Sequence, residues 1–102
     1  MAGTQSGRPR RISALGLGQV DFECREEPRR TEVLRFMRAQ HAVLSTCLPV
    51  FDQVQGRASR EPFEAFEAGS WTWDTNELLM FERYGLALDP EFVAYAVQHA
   101  RA

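Results

Sequence analysis

The sequence predicts a mainly α-helical protein, a small bundle of about four helices behind a flexible N-terminal arm, with one short strand between arm and bundle. Three observations predict it. Apolar residues from Val33 to Val54 recur at helical spacing, two later segments open with helix-capping residues, and the first 19 residues are too polar and glycine-rich to pack.

In the arm, 1–19, Gly3, Gly7, Pro9, Gly16 and Gly18 stand among small polar side chains, and local burial cannot offset the entropy of ordering such a segment. All eleven aromatics fall between Phe22 and Tyr95, so a single helical domain is expected over 20–102. From Gln19 to Glu26 the chain alternates, with Val20, Phe22 and Cys24 on one side and Asp21, Glu23 and Arg25 on the other, which fits a short strand.

Pro28 disfavours helix in the residue before it and Thr31 supplies an N-cap, so the first helix is expected from about residue 31. Helical spacing places Phe36, Val43, Cys47, Val50 and Val54 on one stripe, and Val33, Met37, Leu44, Leu48 and Phe51 on the next. The apolar arc spans roughly 160°, wider than the stripe of roughly 100° that a surface helix needs. Such a rod is central to the fold or touches a second partner; Pro49 should kink it and Gly56 end it. A second, short helix is expected from Ser59 to Gly69, with Pro62 in its first turn and Phe63 and Phe66 at i, i+3. Asp74 followed by Glu77 is a capping box that opens a third helix ending at Gly85, and Asp89-Pro90 opens a fourth.

Charge narrows the function. Three of the twelve arginines and none of the fourteen acids lie in the first twenty residues, so residues 21–102 carry −5 against −2 for the chain. An acidic domain disfavours nucleic acid, whose phosphates need clustered cations. No apolar run is long enough to span a membrane; the longest, Ala42 to Phe51, is broken by Ser45, Thr46 and Pro49. Two isolated cysteines and no secretory signal point to a soluble protein of the reducing cytoplasm.

No catalytic or metal motif is legible, and no cofactor is expected. His41 and His99 lack a second ligand at i+3 or i+4, and Cys47 sits mid-stripe as an inert thiol. Gly16-Leu17-Gly18 lacks the third glycine and the lysine of a phosphate loop. Arg10-Arg11-Ile12-Ser13 matches the short basic pattern that many protein kinases read, as chance alone also explains. A carboxylate such as Glu64, Asp74 or Glu77 could act without a visible motif, and a pocket with a raised carboxylate pKa would mark it. Otherwise the protein is expected not to be an enzyme.

Residues 61–82 hold Glu61, Glu64, Glu67, Asp74, Glu77 and Glu82, no base, and the rings of Phe63, Phe66, Trp71, Trp73 and Phe81. The two tryptophans either close the core or anchor a partner inside an acidic rim. The expected protein-binding residues are Phe36, Met37, Val43, Leu44, Cys47, Leu48 and Phe51 on the rod, with Phe63, Phe66, Trp71 and Trp73. Arg25, Arg29, Arg30, Arg35 and Arg38 form a basic patch on the other side, and acid and base patches on one chain suit a homodimer.

The expected function is a small non-enzymatic regulator or adaptor that binds another protein, such as a transcription regulator. In size and class it resembles the small helical anti-activators with which bacteria hold transcription factors inactive. A structural subunit of a larger assembly and a nucleic-acid-binding regulator are the alternatives.

Overall fold

The computed structural model describes residues 9–16 and 19–100, and within them the chain is a mixed α/β fold rather than a helical bundle. In chain order the elements are β1 (Arg10–Arg11), α1 (Arg30–Arg38), β2 (Ala42–Asp52), β3 (Arg57–Ala68), β4 (Trp71–Asp74), α2 (Thr75–Tyr84) and α3 (Pro90–His99). The strands form one sheet in the order β1-β4-β3-β2, with β1 parallel to β4 and the other neighbours antiparallel. Helix α2 lies against β2, β3 and β4, while α1 packs on α3 and α2.

The expected long helix is the main correction. It ends at Arg38, capped by Ala39, and the chain re-enters as β2. Val43, Thr46 and Val50 are β-branched, and the dense apolar run of 42–51 satisfies a helical stripe and a strand equally well. The expected second helix is β3. Gly56 does not cap a helix but turns the β2–β3 hairpin at φ 73°, and Gly69 turns β3 into β4 at φ 60°. Pro62, expected in a first helical turn, lies opposite Pro49 across the hairpin, where the ladder shifts register. A proline pair at a bulge removes bonds that the ladder does not make there.

The capping signals at the other helices hold. Asp74 accepts from the Glu77 amide at 2.9 Å while Glu77 accepts from the Asp74 amide at 3.2 Å, and α2 closes on Gly85 at φ 78°. Asp89 accepts from the Glu91 amide at 2.8 Å with Pro90 opening α3. The expected strand over 19–26 is reduced to a bridge between Cys24 and Leu86.

Of the segment read as an arm, residues 1–8 and 17–18 lie outside the described residues, and with them most of the Gly16-Leu17-Gly18 motif. Residues 9–16 are tied in. Arg10 donates its amide to Ser70 and Ile12 to Thr72, the Ile12 carbonyl accepts from Asp89, and the Ile12 side chain is fully buried.

The core is aromatic. Trp73 of β4 stacks on Phe66 of β3 (5.7 Å between centroids, 15° between planes) and meets Phe36 of α1 and Phe92 of α3 at 6.2 and 5.5 Å. Phe92 also packs edge-on against Trp71 at 5.5 Å, and the Arg10 guanidinium covers Trp71 from 4.3 Å. Trp73→Ala is expected to cost about 3–5 kcal/mol and Phe51→Ala less than about 0.5 kcal/mol, read from urea melts, because one ring is enclosed and the other is not. Gly69→Ala should cost about 1–2 kcal/mol, since its methyl would enter a positive-φ position within 2.6 Å of the Tyr95 hydroxyl.

Candidate functional site

The margin strands of the sheet are β1 and β2, and β2 is the long one, with a ladder edge that has no neighbour among the described residues. Its inner side chains are spent on the fold: Val50 is buried, and Asp52 is only 1% exposed. Its remaining apolar side chains are not. Val43, Leu44, Leu48 and Phe51 are 60, 58, 66 and 56% exposed, Cys47 is exposed, and Val54 in the following turn is half exposed. Scattered exposed apolar residues need no explanation, but four large ones on one eleven-residue strand do.

The hairpin that displays them is held in place. Asp52 accepts from Arg83 and from the Tyr84 hydroxyl of α2, each at 2.7 Å, and from the Gln55 amide at 2.9 Å. Burial pushes the Asp52 carboxyl up, but the bonds from Gln55, Tyr84 and Arg83 outweigh it and hold the group below its ordinary pKa. β4 pairs with β3 only over 65–68, so the hairpin runs well beyond β4 and α2 supports its far end. In mid-strand the register breaks between Ser45 and Pro49, where the Thr46 hydroxyl donates to the Phe63 carbonyl at 2.8 Å and accepts from the Leu48 amide at 3.2 Å.

The expected binding residues therefore divide. Val43, Leu44, Cys47, Leu48 and Phe51 are brought together on β2, with Phe63 half-buried behind them. Phe36, Met37, Phe66, Trp71 and Trp73 are core, with Trp73 fully enclosed, so neither indole is a surface anchor. Cys47, expected as an enclosed thiol, is exposed because its segment is strand rather than helix. The long helix expected to be central or to touch a partner through its broad apolar face does not exist as such; its apolar residues from Val43 to Phe51 belong to the strand.

The arginines are dispersed. Arg25 donates to the Leu88 carbonyl and pairs with Glu23, Arg29 pairs with Glu32, and Arg30 donates to the Glu82 carbonyl. Arg38 bridges Glu61 at 2.9 Å and Glu82 at 2.5 Å, and Arg35 makes no side-chain bond among the described residues. The acidic run 61–82 is likewise broken up: Glu61 and Glu82 face Arg38, Glu64 accepts from Ser45, and Asp74 and Glu77 bind Arg11.

Glu77 is the carboxylate whose acidity is most altered. It is 1% exposed, and burial raises its pKa to about 7, opposed by the bond from Ser13, supported by the Asp74 charge and opposed by the Arg11 charge. Both carboxylate oxygens are occupied, one by Arg11 and the Asp74 amide and the other by Ser13, and no described cleft is lined by it. The group fastens β1 to the start of α2, and the Ser13 hydroxyl of the kinase-like motif is committed to it. Among the described residues no group of three His, Cys, Asp or Glu side chains could hold a metal ion, and no helix is long and apolar enough to cross a membrane. No family model, curated protein or solved structure matches this chain.

A carboxyl whose pKa is raised on folding stabilises fully below its unfolded value near 4.5, and that stability is lost as pH rises through about 7. Stability should therefore fall by roughly 3 kcal/mol between pH 4.5 and pH 7.5 on account of this group. In Glu77→Gln the fall should be largely absent, as urea melts across that range would show.

Proposed function

We propose that the protein acts by binding another protein chain through the exposed apolar side chains of β2. One observation carries this reading: Val43, Leu44, Leu48 and Phe51 stand in solvent on a hairpin locked to α2, while among the other described large apolar side chains only Val20 and Val54 are exposed. Covering them would contribute about 1–2 kcal/mol per side chain, and the fixed hairpin spares the entropy of ordering a loop.

The contact is made by side chains more than by ladder bonds. Pro49 lacks an amide hydrogen and the register breaks around it, which keeps the edge from pairing indiscriminately with any extended chain. The strand exposes no charge between His41 and Phe51, so a second copy meets no like-charge repulsion there and is the simplest partner to test. A regulator that sequesters a larger protein and a subunit of an assembly both use such a surface. Nucleic acid is disfavoured, because four of the five arginines expected to meet a backbone are bonded within the chain, in separate places.

Leu44→Glu combined with Leu48→Glu should leave stability within about 0.5 kcal/mol, both side chains being solvent-facing. Light scattering of the purified chain and affinity purification from the source cells are then compared for native and doubly substituted protein. The reading expects a dimer or a specific complex that the double substitution abolishes. A native chain that is monomeric and yields the same co-purifying proteins as the variant would overturn it.

A further inference from the structure

Between the hairpin and the C-terminal end of α2 lies a cleft of about 680 Å³ whose charged walls are Arg57, Arg60 and Arg83 against Asp52 and Glu61. None of the exposed apolar side chains of β2 lines this cleft, and of its lining only Asp52 and Arg83, which lock the hairpin, enter the protein-binding reading.

The decisive point is which groups still have bonding capacity. Asp52 is enclosed and already accepts three bonds, from Arg83, Tyr84 and the Gln55 amide. Glu61 accepts from Arg38 with both oxygens, at 2.9 and 3.2 Å. The two acids are thus satisfied from outside the cleft or from its floor. Among the basic groups, Arg83 is committed to Asp52, but Arg57 spends only its Nε, on the Gln55 side-chain oxygen at 3.1 Å, and keeps both terminal nitrogens. Arg60 has no bonded partner among the described residues and is exposed. Ser59 accepts from the Glu61 amide at 3.0 Å, so its own hydrogen remains to be given, whereas the Gln55 side chain is engaged by Arg57 and Tyr84.

Two guanidinium forks and a hydroxyl therefore line one cleft with donors, while its two carboxylates are already bonded to arginines. Planar forks of this kind match carboxylate and phosphate oxygens two at a time. The backbone turn at Gly56 and the Asp52 lock fix the spacing of the strand that bears them. We infer that this cleft is a binding site for a small multivalent oxyanion, one bearing phosphate or carboxylate groups, held between Arg57 and Arg60 with Ser59 completing the set of donors.

The test is calorimetric titration of the whole chain, at constant ionic strength, with sodium pyrophosphate and separately with sodium citrate. Saturable one-site binding of at least one probe is expected, and the stronger of the two tells whether phosphate or carboxylate is the preferred chemistry. Arg57→Gln and Arg60→Gln should each weaken it by about tenfold or more, the scale of a lost charge-assisted bond. Arg35→Gln, on α1 and outside the cleft, should change it by less than about twofold, a control for net charge. Arg57 and Arg60 make no ion pair among the described residues, so both variants are expected to keep the native circular dichroism and melting midpoint. No saturable binding of either probe up to about 10 mM, or equal weakening by all three substitutions, would overturn the assignment.

Discussion

The stacking of Trp73 on Phe66, with Phe36 and Phe92 closing around the indole, is the contact on which the rest of the architecture depends. It joins two strands and two helices at one enclosed side chain. Among the described residues the indole nitrogen has no hydrogen-bond partner, and an unpaired buried donor costs about 1–3 kcal/mol, which the ring packing offsets. Because β4 is only four residues long and passes directly into α2, the ring cluster also fixes where the helix starts. The Asp74 and Glu77 capping box then fastens β1 through Arg11 and Ser13, which brings Ile12 into the core.

The exposed surface follows from this economy of rings. Two tryptophans and four phenylalanines are buried in the core, with Phe22, Phe63, Tyr84 and Tyr95 packed against it, whereas Val43, Leu44, Leu48 and Phe51 of the outer strand lie outside it. The hairpin is therefore anchored by a polar lock instead. Asp52, Arg83 and Tyr84 hold its far end against α2, and of the β2 side chains Val50 is buried in the core with Ala42 packed against it. A rigid arm bearing Leu44, Leu48 and Phe51 is what remains, with the donor-lined cleft on the other strand of the same hairpin.

How much of this was legible follows from the range over which each signal acts. The starts of α2 and α3 are written in neighbouring residues, Asp74 with Glu77 and Asp89 with Pro90, and they are found where the sequence places them. The hairpin is not, because strand pairing joins Leu44 to Ala65 and Phe51 to Ala58, and no local pattern encodes a partner that distant. Periodicity also misled: an apolar run as dense as 42–51 fits a period of 3.6 and a period of 2 together. The prolines gave a clue in the other direction, since Pro49 and Pro62 stand inside segments read as helix where each would break or open one. Of the surface residues, those on β2 were named for the wrong reason, as the broad face of a helix. The Asp52 lock and the Arg57 and Arg60 donors were missed, although Asp52 followed four residues later by Gly56 is a turn signal readable in the chain.

The central claim is that the rings between sheet and helices are shut away while the outer strand of the hairpin is bare. Hydroxyl-radical footprinting of the isolated chain at low concentration, read residue by residue by mass spectrometry, measures both halves at once. The account predicts rapid oxidation of Leu44, Leu48 and Phe51 with strong protection of Trp71, Trp73 and Phe92. Oxidation of both tryptophans at the rate of an unfolded peptide, with Leu44 and Leu48 protected, would contradict it.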